Sequence, residues 1–256
     1  MKAIFFIALI AASLPALCAP ALASTLDSRI VSAARETYVF KVYLAEDEIK
    51  IDSKDGAVTL TGLVAEDLHR ALAEATMTDI PGVRSVDNRL EIKGSSPTAN
   101  SDAWLHDKVK AALMFHWSVS ASTSAVEVKD GVVTLRGNAV NREQKELTTE
   151  YAKDIDGVKD VTNEMTVVAP IAPRTTDEKI DDVSVAALVR MALLLHHSTS
   201  GVYTTVAARR GVVTVEGRAR SAAEKERVTK VVKDVNGVKK VKNRMTIDAP
   251  KTKKTI

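Results

Sequence analysis

Hydrophobic residues in the middle of the chain follow first a helical spacing and then a strict alternation. Leu105, Val109 and Leu113 recur every four positions, which predicts an amphipathic helix. Two alternating runs follow on either side of an Asp-Gly dipeptide at 130–131, which predicts a β-hairpin with a tight turn. A second helical run and a last alternating run come next. The predicted order is helix, strand, strand, helix, strand.

The second helix connects two strands that we expect to be parallel, because such crossovers are right-handed and return the chain to the same sheet. The last strand should therefore lie beside the second, giving a mixed three-stranded sheet with both helices on one face. The predicted fold class is α+β.

Glycine marks three tandem copies of this unit. The hairpin segment at 55–62 recurs at 130–137 and 210–217, and in each copy a Gly-Val segment begins twenty residues after its last glycine. Nine of the 11 glycines belong to this repeated set: Gly56, Gly62, Gly82, Gly131, Gly137, Gly157, Gly211, Gly217 and Gly237. We interpret them as structural turn and helix-end residues, not as phosphate-binding loops.

The copies divide the chain into small domains, because prolines and polar residues cluster between them. The predicted divisions are a signal peptide at 1–23, unit 1 at 25–93, a linker at 94–100, unit 2 at 101–168, a linker at 169–180, unit 3 at 181–248 and a basic tail at 249–256. A unit of about 68 residues has a marginal core, so packing between units is expected.

The first 23 residues have the pattern of a secretory signal peptide. Lys2 precedes an apolar run, and small residues at 21–23 predict cleavage after Ala23. Retention as a membrane anchor is disfavoured because the run is shorter than the roughly 18 residues that span a bilayer. Cys18 raises a lipoprotein alternative, but Leu17 stands where a small residue is normally required. After cleavage the protein would have no cysteine.

The repeated motifs resemble the BON-domain family, found in osmotically inducible periplasmic proteins and related outer-membrane lipoproteins. The resemblance rests on the D-G-x-V-x-L-x-G hairpin and the G-V-x-x-V-x-N ending, which stands here at 82–88, 157–163 and 237–243. It covers nearly the whole chain after residue 23. Arg210 departs from the pattern, since it replaces the aspartate before the turn glycine. The resemblance implies a periplasmic protein that associates with phospholipid membranes under osmotic or other envelope stress, without catalysis.

Charge is distributed unevenly among the units. The chain has a formal net charge of +3, but unit 1 has 9 basic and 13 acidic residues and unit 2 has 8 and 11. Residues 181–256 hold 16 basic and 7 acidic residues. Part of this positive charge is clustered at Arg209, Arg210, Lys239 and Lys240, with further lysines in the tail.

Two interpretations of this basic cluster remain open. It suits anionic phospholipid headgroups, where each basic residue contributes about 1 kcal/mol, or it is a solvated face that favours solubility. Nucleic acid is disfavoured, because an exported chain would rarely meet it and no aromatic stacking residues accompany the cluster.

A second candidate lipid-binding site lies on the opening helix of unit 2. If Leu105, Val109 and His116 form its buried face, Trp104, Lys108 and Phe115 share a shoulder outside that face. Aromatic rings beside a lysine suit a membrane interface. The alternative is that they cover a neighbouring unit, as tandem units on short linkers must meet somewhere.

Catalytic and metal sites are not predicted, and no cofactor is implied. Only His196-His197 suggests a ligand pair, and adjacent helical residues point about 100° apart. No Ser/His/Asp arrangement or paired carboxylate recurs. The sequence thus favours a periplasmic, non-enzymatic protein that binds anionic phospholipid peripherally. The alternative is a protein-interaction or chaperone-like module that shields envelope proteins; the oligomeric state is not determined.

Overall fold

The computed structural model describes residues 19–94, 97–119, 124–168, 179–200 and 204–247. The basic tail and most of the predicted signal peptide and second linker lie outside these residues. The first helix, α1, begins at Ala19 and continues through the predicted cleavage position.

Each unit has the predicted order of elements. Unit 1 contains α1 (Ala19–Glu36), β1 (Glu48–Lys54), β2 (Ala57–Val64), α2 (Asp67–Thr78) and β3 (Ser85–Ile92). Unit 2 contains α3 (Asp102–Phe115), β4 (Ser124–Lys129), β5 (Val132–Ala139), α4 (Arg142–Lys153), β6 (Asp160–Asn163) and β7 (Thr166–Val167). Unit 3 contains α5 (Asp182–Leu195), α6 (His197–Ser200), β8 (Thr204–Arg209), β9 (Val212–Ala219), α7 (Ala222–Lys233), β10 (Lys240–Asn243) and β11 (Thr246–Ile247).

The sheets are mixed, and the predicted α+β fold is confirmed. In unit 1, β2 pairs antiparallel with β1 and parallel with β3, so β2 is the central strand. It buries Val58, Leu60 and Val64, which lie on one face because their spacing is even. Helices α1 and α2 contact the sheet and supply Ile30 and Leu72 to the core.

The hairpin turns have the geometry that Asp-Gly dipeptides favour. Asp55 and Gly56 both have positive φ, 53° and 81°, as a type I′ turn requires. Arg210 adopts the same φ of 53° in unit 3 without being an aspartate. Both turn amides donate to an aspartate of the unit's first helix, at 3.0 Å in unit 1 through Asp27. Asp102 and Asp182 accept the equivalent bonds. All nine repeated glycines have positive φ.

The last strand is divided in units 2 and 3, which the sequence pattern did not predict. β6 and β7 both pair with β5, and two residues separate them. Asn163 lies at the break, where its Nδ2 donates to Lys145 O and Thr149 Oγ1 of α4 at 2.8 Å. Its Oδ1 accepts from Met165 N. The asparagine of the repeated ending therefore ties the strand to the helix beside it.

The three units share one continuous hydrophobic core, with α5 at its centre. This helix contacts α2 of unit 1, α3 of unit 2 and α7 of its own unit. Residues 184–189 are all buried, as expected of a helix that is apolar on every side. In unit 1, a π-helical turn at Val39–Tyr43 follows α1, and Val39 N donates to Ser184 Oγ of α5 at 3.0 Å.

Candidate functional site

The structure brings the four basic residues of unit 3 together at one end of its sheet. Arg209 ends β8, Arg210 lies in the β8–β9 turn, and Lys239 N donates to Gly211 O of that turn at 2.8 Å. Lys240 is the register partner of Val212. All four are exposed. We call Arg209, Arg210, Lys239 and Lys240 the basic hairpin end.

Unit 2 presents the same backbone with balanced charge. The positions equivalent to the basic hairpin end hold Lys129, Asp130, Lys159 and Asp160, and Lys159 N bonds Gly131 O at 2.9 Å as Lys239 does in unit 3. The two ends thus differ by four formal charges on one geometry. The contrast between the units therefore arises from side-chain charge and not from fold.

The aromatic shoulder of α3 is only partly at the surface. Trp104 and Lys108 are half-buried, and Lys108 Nζ lies 4.8 Å from the centroid of the Trp104 ring. Phe115 is fully buried, and its ring centroid lies 5.7 Å from that of Tyr43. The assignment of Phe115 to an exposed shoulder is wrong, because this side of α3 packs against the π-helical turn of unit 1. Phe115 covers a neighbouring unit.

Trp104 and Lys108 line a cavity of about 720 Å³ to which all three units contribute. Its apolar lining includes Ile92 of unit 1 and Leu194 of unit 3, and the Leu194 side chain is 61% exposed. The basic hairpin end adjoins Asp182 at the start of α5, whereas Leu194 is near the end of the same helix. At 1.5 Å per residue, these two positions are about 18 Å apart along the helix axis. The two predicted lipid-binding regions are therefore separate.

A repeated aspartate that the sequence reasoning missed joins the units to one another. Asp79, Asp154 and Asp234 follow the second helix of each unit, three residues before the Gly-Val glycine. Arg190 Nη2 of α5 donates to Asp79 Oδ1 at 2.8 Å, which fastens unit 1 to unit 3. The aspartate stands at the same position in all three copies, but this repetition does not indicate which residue it contacts.

Units 2 and 3 bind each other through mirrored contacts. Trp117 N donates to Asp234 O at 2.8 Å, and His197 N donates to Asp154 O at 2.6 Å. The next amide in each segment donates to a carboxylate, Ser118 to Asp234 and Ser198 to Asp154. We call this arrangement the clasp: segment 116–118 binds Asp234, and segment 196–198 binds Asp154. It has the self-complementary form of a two-fold interface.

Two histidines meet at the centre of the clasp. His116 and His196 are fully buried, with their Nε2 atoms 2.8 Å apart. His116 Nδ1 lies 3.5 Å from Asp234 Oδ2, and His196 Nδ1 lies 3.3 Å from Asp154 Oδ2. Tyr151 stacks on His116 at 4.0 Å between centroids and donates its hydroxyl to Asp234. Its counterpart in unit 3 is Val231, so the interface is not fully symmetric.

Burial shifts the titration of these groups in different directions. The pKa of His116 falls to about 3, chiefly because burial disfavours the imidazolium and also because His196 is adjacent. Burial raises the pKa of Asp234 despite hydrogen bonds from Ser118 and Tyr151. For Asp154 burial acts to raise the pKa, but hydrogen bonds from His196 and Ser198 outweigh it, and the pKa is lowered.

The described residues contain no group of three or more His, Cys, Asp or Glu side chains that could hold a metal ion. His196 faces His116, while the exposed His197 pairs with Asp156, so the adjacent histidines do not converge. None of the helices in the described ranges is both long and apolar enough to cross a bilayer.

Comparison with known proteins gives one family and similar curated proteins, among them one from Escherichia coli and one from Haemophilus influenzae. A model described as BON domain matches residues 26–94, 101–169 and 181–249. Osmotically-inducible protein Y of Escherichia coli (strain K12) is 28% identical over 195 residues, which are 76% of this chain and 95% of the relative. Outer membrane lipoprotein DolP of Haemophilus influenzae is 30% identical over 139 residues, covering 54% of this chain and 70% of the relative.

One solved structure with similarity is CdsD, a structural protein of the type III secretion system of Chlamydia trachomatis. It is 14% identical and covers 88% of this chain and 92% of its own, with a TM-score of 0.23. A score this low supports no argument about the fold.

Proposed function

This chain belongs to the BON-domain family, and from that premise we propose that it is a non-enzymatic protein of the cell envelope that binds anionic phospholipid peripherally through unit 3. The names of its relatives, an osmotically inducible protein and an outer-membrane lipoprotein, support a role in the envelope under osmotic stress. The signal peptide predicted at 1–23 agrees with export to the periplasm.

The observation that carries the lipid proposal is the basic hairpin end. Its four cations are exposed at one edge, where they can approach a charged surface together. Each basic residue near an anionic membrane contributes about 1 kcal/mol, so the four together contribute about 4 kcal/mol before salt screening. Lys242 is exposed on the adjoining strand β10 and adds to the same field.

Trp104 and Lys108 supply a second, weaker contact in this proposal. Their cation-π pair is partly exposed beside Leu194, so an interfacial ring and an ammonium group lie next to an apolar side chain. Phe115 has no part in it because it is buried. Replacing Trp104 by Ala should reduce vesicle binding less than loss of the basic hairpin end.

Vesicle co-sedimentation tests the proposal. Vesicles containing phosphatidylglycerol should bind the protein at low salt, whereas phosphatidylcholine vesicles should not, and 0.5 M NaCl should release it. A quadruple variant with Arg209, Arg210, Lys239 and Lys240 replaced by Ser should lose most of this binding. Equal binding to both vesicle types would refute the lipid interaction.

Unit 2 offers a matched control for that variant. Serine at Lys129, Asp130, Lys159 and Asp160 alters the same four backbone positions without changing the net charge. This control should bind vesicles as the parent chain does. If both quadruple variants lose binding equally, the cause is a structural disturbance of the hairpin and the electrostatic explanation fails.

A protein-interaction or chaperone-like module is the alternative. It is favoured by a second cavity of about 530 Å³ that shares Glu66, Leu68, Asp107 and Ala111 with the larger one, so that together they form a groove with apolar and acidic lining, mainly between units 1 and 2. Trp117, 45% exposed, lines the same groove. Crosslinking in cells should then recover recurrent envelope proteins even when the basic hairpin end is neutralised.

A further inference from the structure

The histidine pair in the clasp restricts how many protons the interface can hold. A hydrogen bond between the two Nε2 atoms needs one N–H donor and one lone pair. If both imidazoles were cationic, two N–H groups would point at each other across 2.8 Å and two positive charges would be adjacent. Neither side chain reaches solvent, so water cannot accept the surplus proton.

One excess proton, by contrast, is compatible with the arrangement of the surrounding groups. Three N–H groups then face three acceptors: one lies between the imidazoles, His196 Nδ1 lies 3.3 Å from Asp154 Oδ2, and His116 Nδ1 lies 3.5 Å from Asp234 Oδ2. The two Nδ1 contacts have ion-pair distances without hydrogen-bond geometry. Hydroxyl groups of Ser118 and Ser198 donate to the carboxylates of Asp234 and Asp154. In the closed clasp, one excess proton therefore leaves each N–H facing an acceptor or a carboxylate, whereas a second would put two N–H groups against each other between the Nε2 atoms.

The other polar groups packed around the pair do not provide an acceptor for a second proton. From α4, the Tyr151 hydroxyl is already donated to Asp234. Glu150 pairs with Lys230 of α7 at 2.6 Å, and Arg227 of α7 lines a cavity beside Tyr151 and Asp154. On α6, His197 pairs with Asp156. The nearby cations, Lys230 and Arg227, further disfavour a second positive charge on the histidines.

We propose that His116 and His196 form a proton-operated latch: the clasp is closed while the two imidazoles share at most one excess proton, and uptake of a second opens it. Opening releases segments 116–118 and 196–198 from the aspartates of the opposite unit. Acidification of the surroundings is thereby converted into a loosening of unit 2 against unit 3.

The direction of the pH effect follows from proton counting. Once released, both imidazoles have an ordinary pKa of about 6.5 and bind two protons in acid. Because the closed clasp binds one fewer, its equilibrium constant should fall about tenfold for each pH unit below about 6. The lowered pKa of His116 acts in the same direction. The stability that neutral His116 gives the closed clasp is present above about pH 6.5 and is lost as the pH falls toward about 3. Asp234, whose pKa is raised, acts oppositely at lower pH, so the effect is cleanest between about pH 6.5 and 5.

Amide hydrogen exchange of the full chain measures the latch. The backbone amides of Trp117, His197 and Asn236 cross the interface, and Asn236 N donates to Phe115 O at 2.9 Å. Their protection, corrected for intrinsic rates, should fall about tenfold from pH 6 to pH 5. The amides of Lys159 and Lys239 bond within their own units and should keep their protection. Constant protection at the interface would overturn the proposal.

Two variants separate the latch from general acid sensitivity. The amide of a glutamine at position 196 can donate to Nε2 of neutral His116. When His116 is charged, the same amide can turn so that its oxygen accepts from Nε2. The His196→Gln variant should therefore lose the dependence on pH. The control is His197→Gln, an exposed neighbour of the same chemistry, which should retain it.

If His196→Gln does not fold, His116→Gln carries the same expectation, and imidazole ¹⁵N spectra of the unaltered chain need no substitution. They should show that the pair does not become doubly protonated while the interface amides are protected. Two histidines titrating near pH 6.5 in the closed clasp would refute the latch.

Discussion

Lys230 Nζ lies 2.6 Å from Glu150 Oε1, and these two residues occupy the same position in units 3 and 2. In a two-fold arrangement, residues near the axis face their own equivalents, as Glu150 and Lys230 do here. Two copies of unit 2 docked in this way would set Glu150 against Glu150, and two copies of unit 3 would set lysine against lysine. The opposite charges therefore favour pairing of unit 2 with unit 3 over pairing of either unit with itself.

Reversing one of these charges should weaken the interface. The Glu150→Lys variant places two ammonium groups together, and because both side chains are more than half exposed the cost should be only about 0.5–1 kcal/mol of unfolding free energy. The double exchange Glu150→Lys with Lys230→Glu should recover most of that loss. Urea unfolding of the single variants and the exchanged pair measures the coupling. If the losses of the two single variants simply added in the exchanged pair, a direct interaction would be contradicted.

Arg190 should be among the most sensitive surface-facing positions, because it holds unit 1 to unit 3. Its guanidinium also bonds Ala75 O and Val206 O. We expect Arg190→Leu to cost about 2 kcal/mol, in the range for charge-assisted hydrogen bonds, and to make unit 1 more sensitive to limited proteolysis. The control Arg142→Leu removes an exposed pair with Glu146 on one helix and should cost less than about 0.5 kcal/mol.

Asp154 and Asp234 should respond differently to replacement by Asn at pH 7. The pKa of Asp154 is lowered, so its carboxylate contributes stability above its unfolded pKa of about 3.9, and this is lost as the pH falls through the lowered value. The pKa of Asp234 is raised, so its favourable contribution is present below about pH 3.9 and is lost as the pH rises. Asp154→Asn should therefore be the more destabilising at pH 7, by about 1 kcal/mol. Thermal unfolding of both variants at pH 7 and pH 4 measures the two losses of stability. If Asp234→Asn were the more destabilising variant at pH 7, the directions assigned to the two pKa shifts would be contradicted.

Gly62 should not tolerate alanine. A Cβ there would lie 1.8 Å from Glu48 O, on backbone with φ of +119°. Strain and overpacking together should cost at least about 3 kcal/mol. Gly94→Ala serves as the control, because no atom lies within 4 Å of its added Cβ and only the positive φ is unfavourable. Similar losses for both variants in denaturant unfolding would show that crowding at Gly62 is unimportant.

The internal structure of each unit was predictable because its determinants are local. Asp-Gly at 130–131 specifies the hairpin turn, and the helical crossover specifies the parallel pairing of the last strand. Those signals occur three times at constant spacing. The break in the last strand was missed because the alternation continues on both sides of Asn163, and Asn88 makes matching bonds to its helix in unit 1 within an unbroken strand.

Contacts between units were less predictable, since helical periodicity identifies one buried face. For α3 it correctly placed Leu105, Val109 and His116 inside. It did not show that the Phe115 side of the helix is covered too, because Tyr43 lies more than seventy residues away in sequence. The partner of His116 is likewise in another unit, so the meeting of His116 with His196 depends on the orientation of one unit against the next.

The central position of α5 has a consequence for biosynthesis. The helix that fills the space between units 1 and 2 belongs to the last third of the chain, and translation proceeds from the amino terminus. Units 1 and 2 therefore emerge with apolar surfaces that nothing yet covers, and they remain so until residues 182–195 follow. A chain that stops before α5 should aggregate or be degraded, and helper proteins that bind nascent or translocating chains should contact the first two repeats longest.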